Sequence, residues 1–229
     1  MFNLGVTWGR SFCFCPHVSS IETGGQKQKD RPHKRKPAMH PYENLIAVTD
    51  RGLCSGDFLT QIKKIVSLHP HSLILRERDL TDEEYLLLAR QVQAICEKEA
   101  DVKVPFFVHS RIGIARQIGC PNLHMPLPAL AALGSRPEGF ACVSTTSHSM
   151  EDMQQALALG ADLIILGTIF ETQCKKGLRG RGLAFVEEIC SACPVPVYAI
   201  GGIKESNIDA VMAAGAAGGC MMSGFMKKQ

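Results

Sequence analysis

The chain has 229 residues, 45% of them apolar, and a formal net charge of +3. That composition supports one large core and excludes a chain-wide nucleic-acid polycation. It holds no apolar run near the roughly 20 residues that a membrane helix needs. The first residues lack the cationic start and long apolar middle of a secretory signal. Most of the ten cysteines sit inside apolar runs, as Cys96, Cys120, Cys142 and Cys220 do. Free cysteine there behaves as a small buried hydrophobe, and a reduced, cytoplasmic setting is expected. Two close pairs, Cys13/Cys15 and Cys190/Cys193, lack a second pair at zinc-site spacing, so no structural metal is expected.

Along the chain, residues 1–40 differ from the rest. The stretch GGQKQKDRPHKRKP, 24–37, is polar, basic and proline-containing. It cannot bury enough apolar surface to offset its ordering entropy, so 1–40 reads as a disordered basic extension. A solvated tail, with Met39 as a natural start, is preferred over a nucleic-acid arm. The folded domain is then 41–229.

From Asn44 short apolar runs alternate with amphipathic stretches. Strands are predicted at 44–49, 72–77, 104–109, 122–125, 140–145, 162–167, 196–201 and 218–223. Helical spacing occurs in FLTQIKKIVSL, DEEYLLLARQVQAICEKEA, MEDMQQALAL and NIDAVMAAG. Thr81, Ser149 and Ser206 are N-cap candidates, and Gly160 and Gly215 sit where C-caps belong. The strands read as nearly continuous apolar runs, as parallel strands covered on both faces do. Eight right-handed βα repeats predict an α/β fold of the TIM (β/α)8 barrel type. A doubly wound open sheet is the alternative, but TDRGLCSG stands where its glycine-rich loop belongs. Only FMKKQ follows the last strand, so the eighth helix is nearly absent. The barrel flank this leaves exposed favours a homodimer.

In such a barrel chemistry lies at the carboxyl ends of the strands. Those ends carry Arg76-Glu77-Arg78, His109-Ser110-Arg111, His124 and Ser147-His148. After the sixth strand comes the cationic loop FETQCKKGLRGRG, 170–182, with Lys175 and Lys176. The last two strands open into IGGIKESN and MMSGF, glycine- and serine-rich loops suited to phosphate, although Gly201 and Gly202 also suit a plain tight turn. The converging positive charge of Arg76, Arg78, Arg111, Lys175 and Lys176 points to an anion with more than its phosphate. His148 is the candidate proton carrier, with His109 and His124 as rivals and His124 open to a packing role.

VTDR, LRER, HSR, GADLIILGTIFET, AIGGI and the GAAGG…MSG ending resemble the thiamine phosphate synthase superfamily of TIM barrels over roughly residues 44–226. Its synthase branch joins a pyrimidine diphosphate to a thiazole phosphate and holds Mg²⁺ on two Asp residues. The positions matching that branch here are Ile74, Ser110 and Ala129, which supply no carboxylate. FETQCKKGLRGRG, the His-x-Arg and the Ser-His-Ser resemble the TenI-type thiazole tautomerase branch instead. That resemblance implies a metal- and cofactor-free 1,3-proton shift aromatising a thiazole carboxylate phosphate, with His148 as the catalytic acid/base. It implies a phosphate cradle at Gly202, Met222 and Ser223. Substrate contacts are expected from Arg76, Glu77, His109, Arg111 and one of Lys175 or Lys176. For Glu77 a salt bridge with a neighbouring arginine is the competing role. The expected partner is a small phosphorylated thiazole, without nucleic acid or membrane. Two alternatives remain: a thiamine phosphate synthase drawing on Asp50 or Glu77 as spare carboxylates, and a non-catalytic regulatory or ligand-binding protein.

Overall fold

The computed structural model describes residues 41–98, 103–172 and 179–228. The expected extension 1–40, with Cys13 and Cys15, and the loop lysines Lys175 and Lys176 lie outside the described residues.

Eight parallel strands close into a barrel in chain order: β1 Leu45–Val48, β2 Ser72–Leu75, β3 Phe106–His109, β4 Asn122–Met125, β5 Cys142–Ser147, β6 Leu163–Gly167, β7 Val197–Ile200 and β8 Gly218–Met221. β8 pairs back onto β1 through Cys220 opposite Ile46, so the open-sheet alternative falls. The helices α1 Phe58–Ser67, α2 Asp82–Lys98, α3 Ile112–Gln117, α4 Leu127–Leu133, α5 Met150–Ala158, α6 Gly182–Ala192, α7 Ile208–Ala213 and α8 Ser223–Met226 alternate with the strands. No described helix is long and apolar enough to cross a membrane.

Strand side chains alternate between two faces. Ile46, Val48, Ile74, Phe107, Ile165 and Tyr198 fill the barrel interior. Their neighbours Leu45, Ala47, Leu73, Leu75, Val108 and Leu166 pack outward under the helices. Burial on both faces explains why the strands lack polar alternation in the sequence. Cys96, Cys120, Cys142 and Cys220 are buried thiols that form no disulfide among the described residues.

Caps set the helix starts. Thr81 Oγ1 accepts from the Glu84 N–H at 3.2 Å, and Glu84 Oε2 accepts from the Thr81 N–H at 2.9 Å, a reciprocal capping box opening α2. Ser149 Oγ caps α5 at the Asp152 N–H. The α7 expectation is corrected: Asn207, not Ser206, is the N-cap, and its Oδ1 ties back to the Lys204 N–H at 2.8 Å. Gly160 and Gly215 follow their helices with φ of 84° and 100°, as left-handed caps require.

The eighth helix is one four-residue turn, as the short C-terminal sequence predicts. The exposed flank does not follow, however. α8 buries Phe225 and Met226 fully, Phe225 packs on Tyr42 with ring centroids 5.7 Å apart, and every β8 residue is buried. Gln61 of α1 donates to the Phe225 and Lys228 carbonyls, and Lys228 Nζ reaches Glu205 at 3.0 Å. The homodimer expectation therefore loses its premise.

Candidate active site

Strand register decides which candidate residues reach the barrel mouth. Arg76 lies two residues beyond Ile74 and shares its inward parity. His109 pairs with His124 in register, and His124 pairs with Ser144. One polar sector thus runs across the interior from β2 to β5. His124 Nδ1 lies 2.8 Å from Ser144 Oγ, His109 Nδ1 lies 2.9 Å from Ser110 Oγ, and the two imidazole centroids are 5.4 Å apart. Ser110 takes a left-handed φ of 64°, and its N–H donates to the His124 carbonyl at 2.8 Å.

Both histidines are buried, at 9% and 5% exposure. Burial, reinforced by the Arg76 and Arg78 charges, lowers the His109 pKa to about 4. Burial first, then His109 and Arg76, lowers His124 to about 3. Both therefore favour the neutral form near pH 7 and give the barrel interior a polar floor.

Glu77 has the opposite parity, in step with the outward-packed Leu75, and is buried. Its Oε1 accepts from Thr49 Oγ1 at 2.7 Å, and its Oε2 accepts from the Arg51 N–H at 3.1 Å and faces Arg51 Nε at 3.3 Å. Burial raises its pKa against these contacts. These bonds bracket the loop after β1 and include the pairing with a neighbouring arginine that the sequence sets against a place in the substrate floor. Arg111 is likewise drawn to α2. Its guanidinium donates to Asp82 Oδ1 and the Leu80 carbonyl and lies 4.6 Å from the Tyr85 ring centroid. It is held at a groove between α2 and α3.

His148 follows β5, whose end lies two residues beyond the predicted one. It keeps the inward parity of Cys142 and Ser144. Its Nδ1 lies 2.6 Å from the Gly167 carbonyl on β6. A carbonyl only accepts, so Nδ1 carries the hydrogen, and in the neutral ring Nε2 is the nitrogen with the lone pair. The His148 N–H donates to Asp152 Oδ2 at 2.8 Å, and the His148 carbonyl accepts from Arg181 Nη1. The sequence reading missed Asp152 and Arg181. Four-residue spacing after His148 could have marked Asp152, and Arg181 stands in the cationic loop FETQCKKGLRGRG, where the sequence gives it no role of its own.

The loops after β7 and β8 lie side by side, since Ile200 pairs with Cys220 and the register carries Gly202 toward Met222. Gly202 has a φ of 65°, and a Cβ there would come within 2.6 Å of Phe170 Cβ and 2.7 Å of the Glu171 carbonyl. Both the turn and the close approach of the loop after β6 therefore demand glycine. Met222 is half-buried and Ser223 exposed at the start of α8.

The Mg²⁺ donor set of a synthase can be tested on these residues. Ser110 Oγ is engaged by His109, and Ala129 has no donor. Asp50 accepts from the Gly52 N–H at 3.1 Å, Glu77 is occupied as above, and Asp79 pairs with Arg51 at 2.6 Å. Among the described residues, no group of three or more His, Cys, Asp or Glu could hold a metal ion. These residues do not fit an Mg²⁺ site.

Comparison with known proteins gives a consistent lineage. A family model described as thiamine monophosphate synthase, TMP-TENI, matches residues 45–225. A putative thiamine-phosphate synthase 2 of Aquifex aeolicus is 31% identical over 184 residues, covering 80% of this chain and 97% of that protein. A thiamine-phosphate synthase of Fusobacterium nucleatum is 27% identical over 189 residues, covering 81% and 90%. Among solved structures, thiamine phosphate pyrophosphorylase from Pyrococcus furiosus superposes with a TM-score of 0.66 at 18% identity, covering 82% of this chain and 95% of that one. That last likeness speaks for the fold alone.

Proposed function

The chain belongs to the thiamine monophosphate synthase (TMP-TENI) family, and we propose that within it this chain is a thiazole tautomerase. The reaction is a 1,3-proton shift on a thiazole carboxylate phosphate bearing an exocyclic double bond. His148 Nε2 removes a proton from the ring carbon, the double bond moves into the ring, and the imidazolium returns the proton to the exocyclic carbon. The His148 arrangement carries this reading. Its ring is held as the Nδ1–H tautomer by the Gly167 carbonyl, which leaves Nε2 as a base at the mouth.

The other residues take supporting roles. Arg76 supplies positive charge above the neutral floor of His109 and His124. Gly202, Met222 and Ser223 cradle the phosphate through backbone N–H groups, as the first N–H groups of a helix turn are free of intrahelical partners. Lys175 or Lys176 faces the substrate carboxylate. Arg111 takes part only if it leaves Asp82, and Glu77 acts through the loop after β1.

The second reading is the transferase, a thiamine-phosphate synthase, and the names of the relatives favour it. Against it stands the donor chemistry: no available carboxylate occupies the positions where Mg²⁺ and diphosphate would need one. One experiment separates the two. The protein is given the exocyclic thiazole carboxylate phosphate without metal, and separately a pyrimidine diphosphate with thiazole phosphate and Mg²⁺. Turnover in the first and none in the second supports the tautomerase. Mg²⁺-dependent turnover in the second with none in the first replaces it by the transferase.

A further inference from the structure

Arg181 stands at an electrostatically unfavourable place. It is the N-cap of α6, with φ −82° and ψ −13°, and its side chain makes no capping bond. A cation at a helix N-terminus opposes the helix dipole. Its backbone is nonetheless tightly fixed. Its N–H donates to the Thr168 carbonyl at 3.1 Å, and the Gly182 N–H donates to the Ile169 carbonyl at 2.9 Å. Gly180 before it lies so close to the loop after β6 that a Cβ would sit 2.5 Å from the Ile169 carbonyl oxygen. The guanidinium carbon lies 3.7 Å from the ring centroid of Phe185, one helical turn on. From that anchored position Nη1 donates to the His148 carbonyl.

We propose that Arg181 is a positioning residue for His148, acting with Asp152 as a charged bracket on the His148 backbone. Asp152 takes the N–H and Arg181 takes the carbonyl, so groups of opposite sign fix the peptide on both sides of the His148 Cα. With Cα fixed, the bond from Nδ1 to the Gly167 carbonyl sets the remaining rotation of the ring. Nε2 then has one direction. Neither bracket residue touches the imidazole, so the device orients the base without taking its lone pair. The Arg181 bond joins residues 33 apart in the chain and ties the head of α6 to the end of β5. This inference rests on reading His148 as the proton carrier.

The test uses the full chain with ¹⁵N-labelled histidine, and the variants Arg181→Met, Arg181→Lys and Asp152→Asn. Methionine keeps length and contact with Phe185 but donates nothing. In the wild type the His148 ring is expected to report hydrogen on Nδ1 alone. In Arg181→Met it should report a mixture of both tautomers, with His109 and His124 unchanged as markers of an intact barrel. In the metal-free thiazole assay kcat should fall about 10- to 100-fold, the scale of a misplaced catalytic group. KM should stay within about twofold, as a base that takes no part in uniform binding requires. Arg181→Lys should recover part of the loss, and Asp152→Asn should reproduce the tautomer mixture from the other side. A single Nδ1–H signal in both Arg181→Met and Asp152→Asn overturns the bracket, whatever the activity. Should the wild type turn over no thiazole, the function proposed for His148 fails while the spectra still decide the bracket. If Arg181→Met loses the His109 and His124 signals, Asp152→Asn alone decides it.

Discussion

Two neutral imidazoles buried inside the barrel make its stability depend on mild acid. His109 and His124 have folded values of about 4 and about 3, against 6.5 for an exposed imidazole. Between those values the unfolded chain binds protons that the folded barrel refuses. Stability from these groups is therefore complete above pH 6.5 and is lost as pH falls toward the folded values. At pH 5 each histidine withdraws about 2 kcal/mol, so the pair withdraws about 4 kcal/mol relative to neutral pH. For a domain of this size that is a drop of roughly 10 °C in Tm. Glu77 works in the opposite sense, because burial raises its pKa and its protonation in acid favours the fold. The comparison is therefore with His109→Gln, which leaves Glu77 in place. Thermal melts at pH 7 and pH 5, followed by circular dichroism, should show the variant losing about 5 °C less than the wild type over this interval. An equal loss in the two proteins would refute the picture of a neutral buried pair.

Other substitutions test single contacts. Tyr85 Oη donates to the Leu75 carbonyl at 2.6 Å and accepts from the His109 N–H at 3.1 Å, so Tyr85→Phe strands two buried groups. Chemical denaturation should register a loss of about 1–3 kcal/mol, and no loss would mean that the hydroxyl bonds do not form. Glu77→Gln keeps the shape of the bracket under the loop after β1 while removing its charge. Stability should fall measurably with kcat changed less than about threefold, whereas a loss of 100-fold or more would return Glu77 to the catalytic groups. Gly202→Ala forces a Cβ to within 2.6 Å of Phe170 Cβ at a left-handed φ. It should destabilise by about 1–3 kcal/mol and raise KM for the phosphorylated substrate; unchanged KM would remove Gly202 from the phosphate cradle.

All eight strands are legible in the sequence because both their faces are buried and the apolar runs are nearly continuous. The polar run from Ser144 to Ser147 is the exception, and the predicted end of β5 falls short there. Its hydroxyls are satisfied on both faces of the strand, Ser144 by His124 inside the barrel and Thr145 by the Met125 carbonyl on the outer face, so polarity does not end the strand. The short helices α3 and α4 hold too few turns to give a period. At the mouth, period-two parity already separates Arg76 from Glu77, since only Arg76 falls in step with Ile74. The bracket on His148 was not legible, because it depends on α6 returning to the end of β5 across a loop of unspecified path. The buried β8 flank was also beyond reach, since α8 covers it with only two large side chains, Phe225 and Met226.

The most direct measurement of the central claim is the metal-free rate of thiazole aromatisation, followed by absorbance, for the wild type and His148→Gln. The glutamine is close in size and cannot act as a base near neutral pH. A chelator-resistant wild-type rate that falls about 10²- to 10⁴-fold in a variant with an unchanged melting temperature is the predicted result. A wild-type rate no higher than that of the buffer, or a His148→Gln rate equal to the wild type, would contradict it.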